Sequence, residues 1–229
     1  MHQYADKNFF FLFLLLIFLF LTSTNSQQFV KKKEAFFNLS SIEVIGLEKS
    51  VNLQIEKNLN FLKNVNIFFI DKEIIKDQIE KYNFIENYNV KKHYPSKIIL
   101  KLKKAVFLAQ TIKDNKVFLI GSNGKFIDGK KFNNYQDLPM VFGKFTVKKF
   151  LIFKRALNQS GYNYDDIKEI FFFPSGRIDI KNKNDIIIKL PIQNVNDALN
   201  IAKKVMNNEK FKRNVIDLRV PNQLILSNE

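Results

Sequence analysis

The sequence predicts an α+β protein in three parts: an N-terminal membrane helix, a small unit ordered strand-helix-helix-strand-strand, and a β-rich unit with flanking helices. Three observations predict it. Phe9 to Leu21 is an unbroken apolar run (FFFLFLLLIFLFL). Between residues 40 and 104 the apolar spacing switches between the period of two that suits a strand and the three-and-four spacing of a helix. Beyond residue 105, short apolar runs recur between Gly, Pro and Asn turn signals.

At about 1.5 Å per residue the apolar run covers roughly 20 Å as a helix, against a hydrocarbon core of about 30 Å. Thr22, Ser23 and Thr24 extend it, because their hydroxyls can bond back to helix carbonyls. A transmembrane anchor over 9–26 is therefore expected, after a cytoplasmic head at 1–8. A cleaved secretory signal has an apolar core of the same length, and either reading exports the rest of the chain. Lys31, Lys32 and Lys33 outnumber Lys7, so the charge bias leaves the orientation open. Residues 27–39 read as a basic linker.

The small unit is expected at 40–104. Ser41 to Gly46 (SIEVIG) alternates and stops at glycine, as a short strand does. Ser50 is placed to cap a helix in which Val51, Ile55, Leu59 and Leu62 share a face. Asp71 suits the cap of a second helix carrying Ile75, Ile79 and Tyr82, with Glu73 favourable in its first turn. Phe84 to Val90 then alternates into a turn at His93-Tyr94-Pro95-Ser96. Lys97 to Lys103 puts Ile98, Leu100 and Leu102 on one face and Lys97, Ile99, Lys101 and Lys103 on the other, so this strand has one wet face.

In 105–229 the strand candidates are Val117–Ile120, Lys125–Ile127, Ile170–Phe173, Arg177–Lys181, Asp185–Leu190, Val215–Arg219 and Gln223–Leu226. Gly121-Ser122-Asn123-Gly124 reads as a hairpin loop. Thr146 starts a helix with Phe150, Phe153 and Leu157 inward, which ends at Ser160-Gly161. A last helix carries Val195, Leu199, Ala202 and Val205.

Composition narrows the chemistry. The 229 residues include no cysteine, no tryptophan and two histidines, so thiol catalysis, disulfides and zinc fingers are excluded. No phosphate loop, nucleophile elbow, dinucleotide fingerprint or zinc-protease helix is present. Gly121 to Lys125 has the wrong spacing for a phosphate loop. Asp165-Asp166 marks a turn, since neighbours on a strand face opposite ways. His93 is a loop residue by position. No enzymatic activity, cofactor or small-molecule substrate is expected. The net charge of +15 comes almost entirely from lysine, with only Arg155, Arg177, Arg213 and Arg219 as arginines. Lysine, asparagine, isoleucine and phenylalanine rise together under AT-rich codon usage, whereas phosphate-gripping surfaces favour arginine. Nucleic acid is therefore not an expected partner.

The order of these elements is distinctive. An apolar run, SIEVIG, two helices, Tyr94 to Leu102 (YPSKIILKL), Asp137 to Gly143 (DLPMVFG) and a terminal Asp217-Leu218-Arg219 resembles the bacterial cell-division protein FtsQ family over nearly the whole chain. The resemblance implies a POTRA domain at 40–104 and an FtsQ-type β-domain at 105–229. It also implies a single-pass inner-membrane protein with a cytoplasmic N-terminus and periplasmic domains, acting as a non-enzymatic divisome scaffold in septum formation. Its implied partners are FtsB and FtsL, with FtsK a further candidate at the POTRA unit. The sequence departs from the family at Lys103, Lys104 and Val106, where the family carries an acid and a proline. Two other readings share part of this pattern: a POTRA-type outer-membrane assembly or translocation factor, and a secreted basic polyanion-binding protein.

A strand at a sheet edge exposes N–H and C=O groups that a partner strand can satisfy. Arg219 to Ser227 is placed to do this. By the resemblance, Arg219 would meet an acid on FtsB, and Val220, Leu224, Ile225 and Leu226 would supply apolar contact. Arg177, on a neighbouring strand candidate, is a second expected charge contact.

Overall fold

The computed structural model describes residues 3–23, 36–132, 135–208, 213–220 and 223–228. It holds five α-helices and twelve strands among them. Helix α1 (Gln3–Ser23) takes in the apolar run, and every side chain from Phe9 to Phe20 is exposed. Among the described residues no helix is long and apolar enough to cross a membrane. The expected anchor over 9–26 begins inside α1, and its last three residues lie outside the described ones.

A three-stranded sheet follows, ordered β1-β3-β2, from β1 (Ser41–Ile45), β2 (Ile85–His93) and β3 (Lys97–Lys104). β1 runs parallel to β3, with Ile42 opposite Ile98 and Val44 opposite Leu100. These side chains are buried, as the alternation predicts. Helix α2 (Lys49–Asn58) contributes Ile55, a 3₁₀ turn after it Leu62, and helix α3 (Lys72–Glu80) Ile75 and Ile79. Each such burial contributes about 1.5–3 kcal/mol. Ser50 does not cap α2. The helix starts two residues earlier than a Ser50 cap would set it, so Glu48 holds the cap position, and Asn52 fixes the entry by bonding both the N–H and the carbonyl of Leu47. Asp71 does accept from the Glu73 N–H at the start of α3.

The folded chain begins earlier than a linker reaching residue 39 would allow. Leu39 is fully buried, Asn38 bridges to Asn66, and the Phe37 carbonyl accepts from the Ile67 N–H at 2.9 Å. Contacts group Met1–Ile79 with Tyr88–Leu102 in one compact unit, and Glu80–Asn87 with Lys103–Glu229 in another. Residues 80–87 join the second unit through local bonds: Ala105 N–H to the Phe84 carbonyl, and the Asn123 amide to the carbonyls of Asn83 and Ile85.

The second unit is built on a nine-stranded sheet, ordered β12-β11-β10-β9-β8-β7-β4-β5-β6. In chain order these are β4 (Phe107–Lys113), β5 (Lys116–Gly121), β6 (Phe126–Asp128), β7 (Met140–Gly143), β8 (Ile167–Phe172) and β9 (Ile178–Asn182). β10 (Ile187–Lys189), β11 (Val215–Asp217) and β12 (Ile225–Ser227) complete it. Helices α4 (Val147–Gln159) and α5 (Val195–Met206) share a core with the sheet. The register aligns Val141, Ile170, Ile180, Ile188, Ile216 and Leu226 across six strands in one apolar row on that face. Thr146 caps α4 as expected, accepting from the Lys149 N–H at 3.2 Å.

Strand β7 was not among the expected strands. Its four residues are too short to show alternation, yet they run parallel to both β4 and β8. It ends at Gly143, with φ +90°, where a Cβ would lie 2.0 Å from the Phe172 carbonyl oxygen. Gly46 ends β1 in the same way, with φ +108° and the Leu102 oxygen at 2.0 Å. Only glycine fits at either position.

Candidate partner-binding edge

β12 is the last strand of the nine-stranded sheet, bonded antiparallel to β11 with Val215 opposite Ser227, Ile216 opposite Leu226 and Asp217 opposite Ile225. No other described strand borders it. Four strands end the two sheets. β1 carries Glu43, β2 carries Glu86, Lys91 and Lys92, and β6 carries Asp128. β12 (Ile-Leu-Ser) carries no charge. Edge charges discourage further pairing, so β12 is the least guarded of the four.

Side-chain direction divides the expected contacts. Leu226 belongs to the inward row and packs against the core, so less of it is free for a partner than was expected. Ile225 points to the other face and is exposed. Val220 and Leu224, also exposed, line a groove of about 640 Å³ with Leu218, Ile192, Ile201 and Asp197, beside the start of α5.

On the face opposite the helices the register sets Asp179, Lys189 and Asp217 side by side on β9, β10 and β11. Both acids are buried. Arg219 holds Asp217 with a forked contact, Nε donating to both carboxylate oxygens at 2.8 and 2.9 Å. That contact holds the Asp217 carboxyl below its ordinary range. Arg177 places Nε 3.1 Å from Asp179 Oδ1 and lays its guanidinium 3.9 Å over the Phe173 ring. Burial pushes Asp179 upward despite the nearby Arg177, Arg219 and Lys189. The structure thus gathers Arg177 and Arg219 into one charge cluster. Arg219 thus already has an acid of its own chain, Asp217 at the end of β11, as a partner. The signal was in the sequence, since Asp217 and Arg219 are two apart and the expected strand Val215–Arg219 would set them on one face; in the structure β11 ends at Asp217 and Arg219 reaches back from the segment after it.

This architecture was compared with known proteins. Residues 37–104 match the sequence model described as POTRA domain, FtsQ-type, and residues 110–219 match that for the cell division protein FtsQ/DivIB C-terminal region. The chain belongs to the FtsQ/DivIB cell-division family. Among curated relatives, the cell division protein FtsQ of Bradyrhizobium diazoefficiens is 22% identical over 84% of this chain and 57% of its own. DivIB of Clostridium tetani is 25% identical over 72% and 60%, and FtsQ of Rickettsia bellii 26% over 83% and 72%. The chain therefore spans less than two thirds of the length of the first two relatives. A solved extracytoplasmic domain of DivIB from Geobacillus stearothermophilus matches 42% of this chain and 87% of that one at 15% identity, with a TM-score of 0.32. The FtsQ-type POTRA match includes the Lys103-Lys104 departure without losing β3, which runs through both lysines. Among the described residues no group of three His, Asp or Glu side chains could hold a metal ion.

Proposed function

We propose that this chain is a non-enzymatic divisome scaffold that recruits an FtsB–FtsL pair by strand addition at β12. The observation that carries the reading is the chemistry of that edge: of four sheet-ending strands, β12 is the one without a charged side chain. A partner strand laid against it gains main-chain bonds, and its alternate side chains find Ile225 on one face and the Val220–Leu224 groove beside it. The Arg219–Asp217 pair sets the polarity of the rim, and an incoming acid adds a second carboxylate to a fork already in place. Membership of a cell-division family supports the process; the strand donor comes from the family resemblance.

The same reading takes the apolar run in α1, which by itself falls short of a span, as the embedded part of a single-pass inner-membrane anchor over 9–26, with the folded units on the periplasmic side. Its support is the continuous exposed apolar surface from Phe9 to Phe20.

The test is co-purification of the FtsB–FtsL pair with the full chain. Ile225→Lys and Leu224→Lys, which each put a charge on an exposed position, should each weaken capture at least about tenfold while leaving the circular dichroism spectrum unchanged. Undiminished capture by both variants would refute recruitment through β12.

A further inference from the structure

The first compact unit carries an aromatic surface that neither its own core nor the β12 edge uses. Phe36, Phe37, Phe68 and Tyr94 form a continuous chain of rings, with successive centroids 5.4, 5.2 and 4.9 Å apart. Phe37 is half-buried, but Phe36, Phe68 and Tyr94 are 62%, 55% and 57% exposed. Next to Phe68 stands Phe69, at 81% the most exposed large apolar side chain among the described residues.

These rings are held in place. Asn66 Oδ1 accepts from the Phe68 N–H at 3.0 Å, and its carbonyl accepts from the Phe69 N–H at 2.9 Å. Leu39 N–H to the Val65 carbonyl and Ile67 N–H to the Phe37 carbonyl tie the two contributing segments together. A fixed patch of this kind, unlike scattered apolar residues, marks a contact surface.

Cations accompany it. Lys92 Nζ donates to the Ile70 carbonyl at 2.8 Å, one residue beyond Phe69, and Lys63 and Lys91 are close in sequence. The acid that follows Phe69, Asp71, is turned to the Glu73 N–H. Lys31, Lys32, Lys33 and Glu34 lie between the apolar helix and Phe36.

We propose that this patch seats the first unit on an anionic lipid bilayer, with Phe68 and Phe69 entering the headgroup boundary and the lysines meeting lipid phosphates. Phenylalanine beside basic side chains settles at the headgroup–acyl boundary, and Tyr94 adds the polar tip typical of interface rings. The basic stretch complements an anionic surface. Covalent reach supplies the occupant. At most about 3.6 Å per residue separates Ser23 at the end of α1 from Phe36 at the start of the patch, so the tether spans under about 50 Å. With α1 in the bilayer, membrane is the one surface always within that reach. The proposal rests on the anchor reading above in this respect only.

The chain contains no tryptophan, so a single introduced indole reports alone. Full-length Phe69→Trp, Phe13→Trp and Ile152→Trp would each be reconstituted in phosphatidylcholine vesicles containing phosphatidylglycerol and quenched with nitroxide-labelled lipids. Phe13 lies in α1, and Ile152 is an exposed position on α4. The proposal expects quenching at position 69 by the shallow label, quenching at 13 by the deep label, and none at 152. Removing phosphatidylglycerol, or adding Phe68→Ser, should lower quenching at position 69 about twofold. Quenching at 13 without quenching at 69 overturns the proposal and leaves the anchor standing. Quenching at 69 alone supports the patch and removes the anchor. A blue-shifted but unquenched emission at 69 assigns the surface to a protein or a second copy and overturns the lipid reading. Tyr94→Trp repeats the measurement at a second ring should Phe69→Trp fail to fold.

Discussion

The two sheets are built alike inside and differently at their borders. In each, a parallel pair is closed by a glycine whose α-hydrogen side meets a carbonyl: Gly46 against Leu102, Gly143 against Phe172. The three-stranded sheet then ends on β1 and β2, both carrying charge, with Glu43 paired to Lys97 at 2.6 Å. The nine-stranded sheet ends on β6, with Asp128, and on uncharged β12. Interior construction answers to packing and is repeated. Border construction differs, three of the four edges carrying charge and β12 none.

The likeness is broken most severely at the glycines. Gly143→Ala and Gly46→Ala should each cost about 3 kcal/mol or more, because a Cβ must enter a left-handed conformation and overlap backbone. Hydrogen exchange should locate the loss in the second unit for the former and in the first for the latter. Loss spread equally over both units by either variant would deny that they are separate packing problems.

The border difference is tested by moving charge. Ile225→Lys should weaken capture of a strand-donating partner at least about tenfold, equivalent to about 1.4 kcal/mol, with little change in melting temperature. A smaller effect is expected at Tyr164, whose hydroxyl donates to the Leu108 carbonyl at 2.6 Å. Tyr164→Phe should cost about 1 kcal/mol of stability, read by urea denaturation.

Acid sharpens the same comparison by the smallest margin. Asp217 is held below its ordinary value of 3.8 by Arg219, so its contribution is present above that value and is lost as pH falls through the range beneath it. Asp179 is raised by burial, so its protonation on acidification works in the opposite sense. Thermal melts between neutral pH and pH 3 should show a flatter decline for Asp217→Asn and a steeper one for Asp179→Asn. Glu43→Gln in the first sheet should change the profile least, since both members of its ion pair are exposed.

Much of this was legible in advance where one element explains itself. The alternation in Lys97 to Lys103 gives β3 and its buried face, Thr146 gives the start of α4, and the tail order gives an outer β12. Elements defined by their neighbours were not. β7 exists because β4 and β8 flank it, and Ser50 missed its role because a cap depends on where the helix begins. The β4–β5 turn at Asp114-Asn115, with φ +49° and +57°, is a hairpin signal that went unread for lack of a glycine. Arg219 was recognised but its partner was not. Asp179, Lys189 and Asp217 come together only through cross-strand register, which sequence distance conceals.

An unguarded ribbon also sets a rule of dosage. Copies of this chain made in excess of whatever strand covers β12 would be left with backbone able to pair with any extended segment, including one another. Overproduction alone should then be enough to make the chain stick to itself, and a segment able to pair with β12, supplied in step with the chain, should restore its solubility.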